Sequence, residues 1–177
     1  MNFELKALSL NSAVAAKCDL LLMLVPESFK PQQDPLSILV EAALGHGDWS
    51  MATGKQLHIY QPAGLQARRV VLLGVGKAMV RDVRAALAAA AATFKAEGVK
   101  HAVAYLGAVP DASVAVSAAV QCIADACYSY TLTKSKAKPP SLSKVTIAVE
   151  DKRAAAAAFE QGVAVALGQD LAKEWGN

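Results

Sequence analysis

The stretch VVLLGVGK, residues 70–77, is where the residue types come nearest to ligand chemistry. Apolar residues run into Gly74, Val75, Gly76 and Lys77, and a helical pattern follows. A strand, a glycine turn with a lysine and a helix is how a phosphate cradle begins, because N–H groups at a helix start can face an anion. Two nucleotide templates nevertheless fail. A Walker-type loop needs a longer span between its glycines and a Ser or Thr after the lysine, whereas Gly74 and Gly76 flank a single valine and Ala78 follows Lys77. The dinucleotide fingerprint needs glycine where Met79 stands. What is left is a buried strand whose C-terminal end turns on glycines; open α/β sheets tend to bind ligands at that end, which makes Gly74, Gly76 and Lys77 the candidate for a weak anion site and no more.

Other chemistry is sparse. His46, His58 and His101 are isolated, and no HExxH, CxxC or GxSxG occurs. His58 and His101 read as strand residues. His46, in GHGDW beside Asp48, is the most site-like histidine and still reads as part of a turn. The carboxylates are scattered. No catalytic residue and no metal ligand is therefore assigned. Cys18, Cys122 and Cys127 are too few and too irregular for a disulfide framework. Cys127 falls on the apolar side of a helix, where a thiol behaves as a small hydrophobe.

The net charge is a mild +3. Arg68, Arg69, Lys77, Arg81 and Arg84 are near one another in sequence, and Lys134, Lys136 and Lys138 alternate through a loop. Either group could meet phosphates, but a solvated surface is the plainer reading. No aromatic residues are interleaved to stack on bases, so single-strand binding is not indicated.

The elements that must position these residues alternate between strand and helix. Strands are predicted over residues 3–8, 19–25, 57–61, 69–75, 101–106 and 144–149. The runs at 19–25 and 69–75 are continuously apolar, as inner strands of a parallel sheet are. Asp34 is set to cap a short helix with Pro35 in its first position, ending at Gly45. A helix over 81–97 carries Val83, Leu87, Ala90 and Phe94 on one stripe and stops at Gly98. A second, over 113–132, buries Val116, Val120, Ile123, Cys127 and Tyr130. The last, over 151–175, carries a stripe of Val163, Leu167 and Leu171. It also keeps Gly162 and Gly168, each weakening it by about 1 kcal/mol relative to alanine unless another backbone approaches closely. The pattern is α/β, strand alternating with helix.

At 177 residues the chain suits one domain with a real core. No apolar run reaches the roughly 18 residues that cross a bilayer, and the N-terminus MNFELKALSL carries charges where an export signal needs an apolar stretch. A cytoplasmic location is the expectation.

Three stretches together resemble the leucyl aminopeptidase family, the cytosolic two-metal aminopeptidases. They are RRVVLLGVGK, the alanine-rich helix after it and, most specifically, EQGVAVALGQDLAKEWGN. In that family a helix of pattern G-x-A-x-A-x-x-x-x-x-A-K-x-x-x-N joins an N-terminal α/β domain to the catalytic domain. Gly162, Ala164, Ala166, Ala172, Lys173 and Asn177 fit it. The resemblance implies an α/β, macro-domain-like fold over residues 1–150, with a mixed, mostly parallel sheet flanked by helices on both faces, and a joining helix over 151–177. The family's catalytic signature, NTDAEGR, is absent, so no catalytic or metal-binding residue is carried over. It implies a parent that removes N-terminal residues from peptides with a metal-bound water. Two divalent metals, zinc or manganese, would lie in that parent's catalytic domain, with no cofactor in this segment. The implied partner is that catalytic domain, in a homo-hexamer formed by the full-length parent and not by this segment. Two other classes stay open: a macro-type module binding a phosphate ligand such as ADP-ribose, and a nucleic-acid-binding domain.

Overall fold

A computed structural model describes residues 1–130 and 140–176. The chain runs β1 (Asn2–Ala7), α1 (Leu10–Val14), β2 (Leu20–Val25), α2 (Pro35–Gly45), β3 (Gln56–Tyr60) and β4 (Arg69–Gly74). It continues through α3 (Val80–Ala89), α4 (Ala91–Phe94), β5 (His101–Tyr105), α5 (Ala112–Cys127), β6 (Lys144–Val149) and α6 (Lys152–Trp175).

The strands form one six-stranded sheet in the order β1-β6-β5-β2-β4-β3. All pairs are parallel except β3 with β4, which is antiparallel. The continuous apolar runs lie in the middle. Every residue of β2 is buried, and in β4 so is every residue after Arg69. Alternate side chains of these strands feed two cores. Leu21, Met23, Val70 and Leu72 pack with Leu10, Leu36, Val40 and Trp49 on one face. Leu22, Leu24, Val71 and Leu73 pack with Val83, Leu87, Phe94, Val116 and Val120 on the other. Strands fed from both faces must be apolar throughout, which is what LLLMLV and VVLL supply. The α/β sheet with helices on both faces is thus the fold of the chain.

Local signals explain most boundaries. Asp34, only 2 % exposed, accepts from the amides of Leu36 and Ser37 and from the Ser37 hydroxyl. That caps α2 with Pro35 in its first turn. The stripe Val83, Leu87, Ala90 and Phe94 is buried as its spacing predicts.

The structure differs from the sequence reading in four places. The helix expected over 81–97 breaks into α3 and α4 at Ala90 and ends at Phe94, and Gly98 completes the turn beyond at φ +79°. The helix expected to reach 132 stops at Cys127; Tyr130 follows in irregular chain, and residues 131 and 132 lie outside the described residues. The short α1, capped by Ser9 through the Ser12 amide, was not expected. In α6 the buried positions are Ala155, Gly162 and Ala166, whereas Val163 is half-buried and Leu167 and Leu171 are exposed. Close packing of α6 on α5 leaves room only for small side chains. A Cβ on Gly162 would lie 3.0 Å from Ser117 Cα and 3.2 Å from Val120 Cβ. Gly168 has nothing within 4 Å of that position, so no close approach accounts for it.

Candidate functional site

The parallel strands β1, β6, β5, β2 and β4 all end on one edge of the sheet, at Ala7, Val149, Tyr105, Val25 and Gly74. After β2 the chain turns into α2, which covers one face. After its neighbours β5 and β4 it turns into α5 and α3, which cover the other. The connections therefore part on either side of β2, leaving crevices at the carboxyl edge, the usual ligand position in an open α/β sheet.

The glycine turn lies on this edge. Gly74 ends β4 against the Met51–Ala52 backbone. A Cβ there would overlap the Ala52 carbonyl oxygen and sit 2.7 Å from the Met51 carbonyl carbon. Gly76 adopts φ +55°, and a Cβ would lie 2.6 Å from Thr53 Oγ1. The amides of the turn are engaged within the protein. Val75 N donates to Val25 O at 3.1 Å, Gly76 N to Met51 O at 2.9 Å and Ala78 N to Val75 O at 2.8 Å. Met79 N donates to the Asp82 carboxylate at 3.3 Å. A phosphate cradle needs such groups turned toward a ligand; here they hold β4, the segment 51–55 and α3 together. Lys77 is exposed, and Ala78 beside it takes the left-handed conformation at φ +57°. Lys77, Met79, Val80, Pro110 and Asp111 line a hollow of roughly 360 Å³.

The histidines occupy structural positions. His46 Nδ1 lies 2.9 Å from Ala42 O at the C-terminal end of α2. His58 Nε2 lies 3.2 Å from Gln56 Oε1 on the edge strand, and burial, with Arg69 nearby, lowers its pKa. His101 Nε2 lies 3.0 Å from Thr146 Oγ1 between β5 and β6. Burial pushes the Cys18 thiol up to about 12 and the Cys127 thiol to about 11, so neither is a thiolate near neutrality. Among the described residues no group of three or more His, Cys, Asp or Glu side chains could hold a metal ion.

The basic residues near one another in sequence do not form one patch. Arg68 pairs with Asp19 at 3.5 Å, and Arg69 stacks over the Tyr60 ring at 4.9 Å, both at the amino edge of β4. Lys77 and Arg81 lie beyond its opposite end, about 17 Å along the strand, where Arg81 meets Asp82 at 3.6 Å. Arg84 donates to Gln121 at 3.0 Å. Lys134, Lys136 and Lys138 lie outside the described residues.

Sequence reasoning missed one constellation on the carboxyl edge. Tyr105 ends β5 and registers with Ala148 of β6, so Glu150 emerges beside it. The Tyr105 hydroxyl donates to Glu150 Oε1 at 3.4 Å. The available signal was a polar residue at the end of each of two strands, but it becomes readable only once their pairing is known.

A family model described as the N-terminal domain of the cytosol aminopeptidase family matches residues 25–137. A probable cytosol aminopeptidase of Verminephrobacter eiseniae (strain EF01-2) is 49 % identical over the whole chain, which covers 34 % of that relative. One of Albidiferax ferrireducens is 42 % identical, again over the whole chain and 37 % of the relative. The chain thus spans about a third of the length of the curated relatives it matches. Among solved structures, a mutant of tomato leucine aminopeptidase superposes with a TM-score of 0.70 at 17 % identity, over 95 % of this chain and 36 % of that one. The bottromycin maturation enzyme BotP in complex with Mn superposes with a TM-score of 0.59 at 19 % identity, over 87 % of this chain and 31 % of that one. The sequence match and the shared fold agree on one conclusion: the chain belongs to the cytosol aminopeptidase family, as its N-terminal domain.

Proposed function

We propose that this chain is the non-catalytic N-terminal domain of a metal-dependent aminopeptidase that removes N-terminal residues from peptides in the cytoplasm. Residues 1–150 form the α/β body in this reading, and 151–177 form the helix that joins it to a catalytic domain. The metals, zinc or manganese, would be held in that other domain. Its full-length form would assemble as a hexamer, and the 177-residue chain alone would not.

The observation that carries this reading is the outer face of α6. Leu167, Leu171 and Trp175 recur every fourth residue and are 61 %, 56 % and 89 % exposed. Residues four apart share a helix face, so these three make one apolar stripe that the α/β body leaves uncovered. A contiguous exposed apolar stripe marks an interaction surface. It lies on the helix whose sequence resembles the family's interdomain joint, and the relatives' chains run to about three times this length. Among the described residues no group of three or more His, Cys, Asp or Glu side chains is placed to hold a divalent ion, and three or four donors are what tight binding requires.

The test is hydrolysis of leucine p-nitroanilide with added zinc or manganese, on the 177-residue chain and on the full-length product of the parent gene. The reading expects turnover from the latter alone. Turnover by the highly purified 177-residue chain, or none by the full-length protein with either metal, would overturn it.

A further inference from the structure

Between the ends of β2 and β5, where the connections part to opposite faces, lies a hollow of roughly 230 Å³. Leu10, Phe29, Lys30, Gln32, Tyr105 and Glu150 line it. This is below the roughly 300–1,000 Å³ of sites for drug-sized ligands, and suits a molecule of about ten heavy atoms. We propose that it binds a free α-amino acid, with the ammonium group on Glu150, the carboxylate on Lys30 and the side chain against Leu10 and Phe29.

Three features of the hollow support this. Tyr105 is only 1 % exposed, and its hydroxyl donates a long hydrogen bond of 3.4 Å to Oε1 of the exposed Glu150, which leaves the other carboxylate oxygen for a second donor. Burial, with the charge of Glu150 adding to it, raises the phenol's pKa above its usual value. Gly107 makes room for the Tyr105–Glu150 pair on the wall. A Cβ there would overlap the Tyr105 hydroxyl and lie 3.0 Å from Glu150 Cγ. Gly107 is not among the glycines with positive φ, so space rather than backbone conformation explains its lack of a side chain.

The charges choose the ligand. Glu150 also borders a second hollow with Asp111 and Asp151, so this side of the edge is acidic and favours an ammonium group. Lys30, in the loop after β2, supplies positive charge on the same hollow. A nucleotide would bring several negative charges to a site with one lysine and a carboxylate. A zwitterion with a modest apolar group matches what is there. The inference goes beyond the proposed function and is tested separately, since binding to this domain needs no catalytic activity.

The experiment is calorimetric titration of the 177-residue chain with L-leucine, leucinamide and N-acetyl-L-leucine at moderate salt. Saturable binding of L-leucine is expected. Leucinamide, lacking the carboxylate, and N-acetyl-L-leucine, lacking the ammonium group, should each bind about tenfold more weakly or worse, since hydrogen bonds to charged groups are the strong ones. Glu150→Gln and Lys30→Met, both at exposed positions, should each weaken L-leucine by a similar factor while circular dichroism stays unchanged. Absence of saturable L-leucine binding through the millimolar range would overturn the proposal. So would equal affinity for all three ligands, or binding that survives both substitutions.

Discussion

Gly162 of α6 faces Ser117 of α5 so closely that a Cβ on the glycine would lie 3.0 Å from Ser117 Cα and 3.2 Å from its carbonyl oxygen. Both contacts are main-chain atoms of a packed helix, which can give little. Gly162→Val should therefore destabilise the domain by about 1–3 kcal/mol through overpacking. Gly168, on the same helix, has nothing within 4 Å of a Cβ. Gly168→Ala should stabilise the domain by about 0.5–1 kcal/mol, the helix-propensity difference. Urea denaturation of the two variants measures the contrast, and equal effects would show that the α5–α6 contact is looser than described.

Gly74 gives a second, sharper case. Its Cβ position is filled by the Met51–Ala52 backbone, so Gly74→Ala should cost about 2–3 kcal/mol or prevent folding. Lys77→Ala, at an exposed position, should stay within about 0.5 kcal/mol of the parent stability. Because the turn's amides donate to protein oxygens, calorimetry at low salt should find no micromolar binding of ATP or ADP-ribose. We propose that any anion affinity at Gly74, Gly76 and Lys77 is weak and carried by the Lys77 ammonium. Tight nucleotide binding abolished by Lys77→Ala would contradict this.

How much of this was legible in the sequence depends on which contacts decide each element. Asp34 and Pro35 announced α2 because a cap and its helix lie within one turn of chain. VVLLG announced a central strand because burial on both faces demands an unbroken apolar run. Four other features give no clear local signal. The five-residue α1 shows no periodicity to read. The break at Ala90 is hidden because alanine is the strongest helix former and carries no signal to stop. The apolar stripe of α6 was read correctly as a stripe, but nothing local says that α5 takes Gly162 and Ala166 and leaves Leu167 and Leu171 to solvent. The Tyr105–Glu150 pair is legible only through strand register.

Stability should fall in two steps on acidification. Burial, reinforced by Lys144, holds the His101 imidazole below its usual 6.5, so the unfolded chain binds that proton more readily. Its contribution is complete above about pH 6.5 and is lost as pH falls through the lower folded value. His58, lowered by burial and by Arg69, acts in the same direction. The second step belongs to carboxylates. The hydrogen bond from Lys144 lowers Glu4. For Asp19, burial alone would raise the pKa, but the His101 and Lys100 amides and Arg68 outweigh it and lower it. Their contribution is present above about pH 4 and is lost as pH falls through their depressed folded values. Urea melts between pH 8 and 3 test this, and His101→Gln should flatten the first step. Constant stability between pH 7.5 and 5 would contradict it.

The account turns on α6 as an interdomain surface, and hydroxyl-radical footprinting tests that most directly. It reads side-chain exposure at Leu167, Leu171 and Trp175, with the exposed Tyr60 on the distant strand β3 as an internal reference. In the 177-residue chain all three should be oxidised rapidly. In the full-length protein Trp175 and Leu171 should be protected several-fold while Tyr60 is unchanged. Equal oxidation of the stripe in both proteins would mean that no catalytic domain covers α6, and the joining role proposed for residues 151–177 would be wrong.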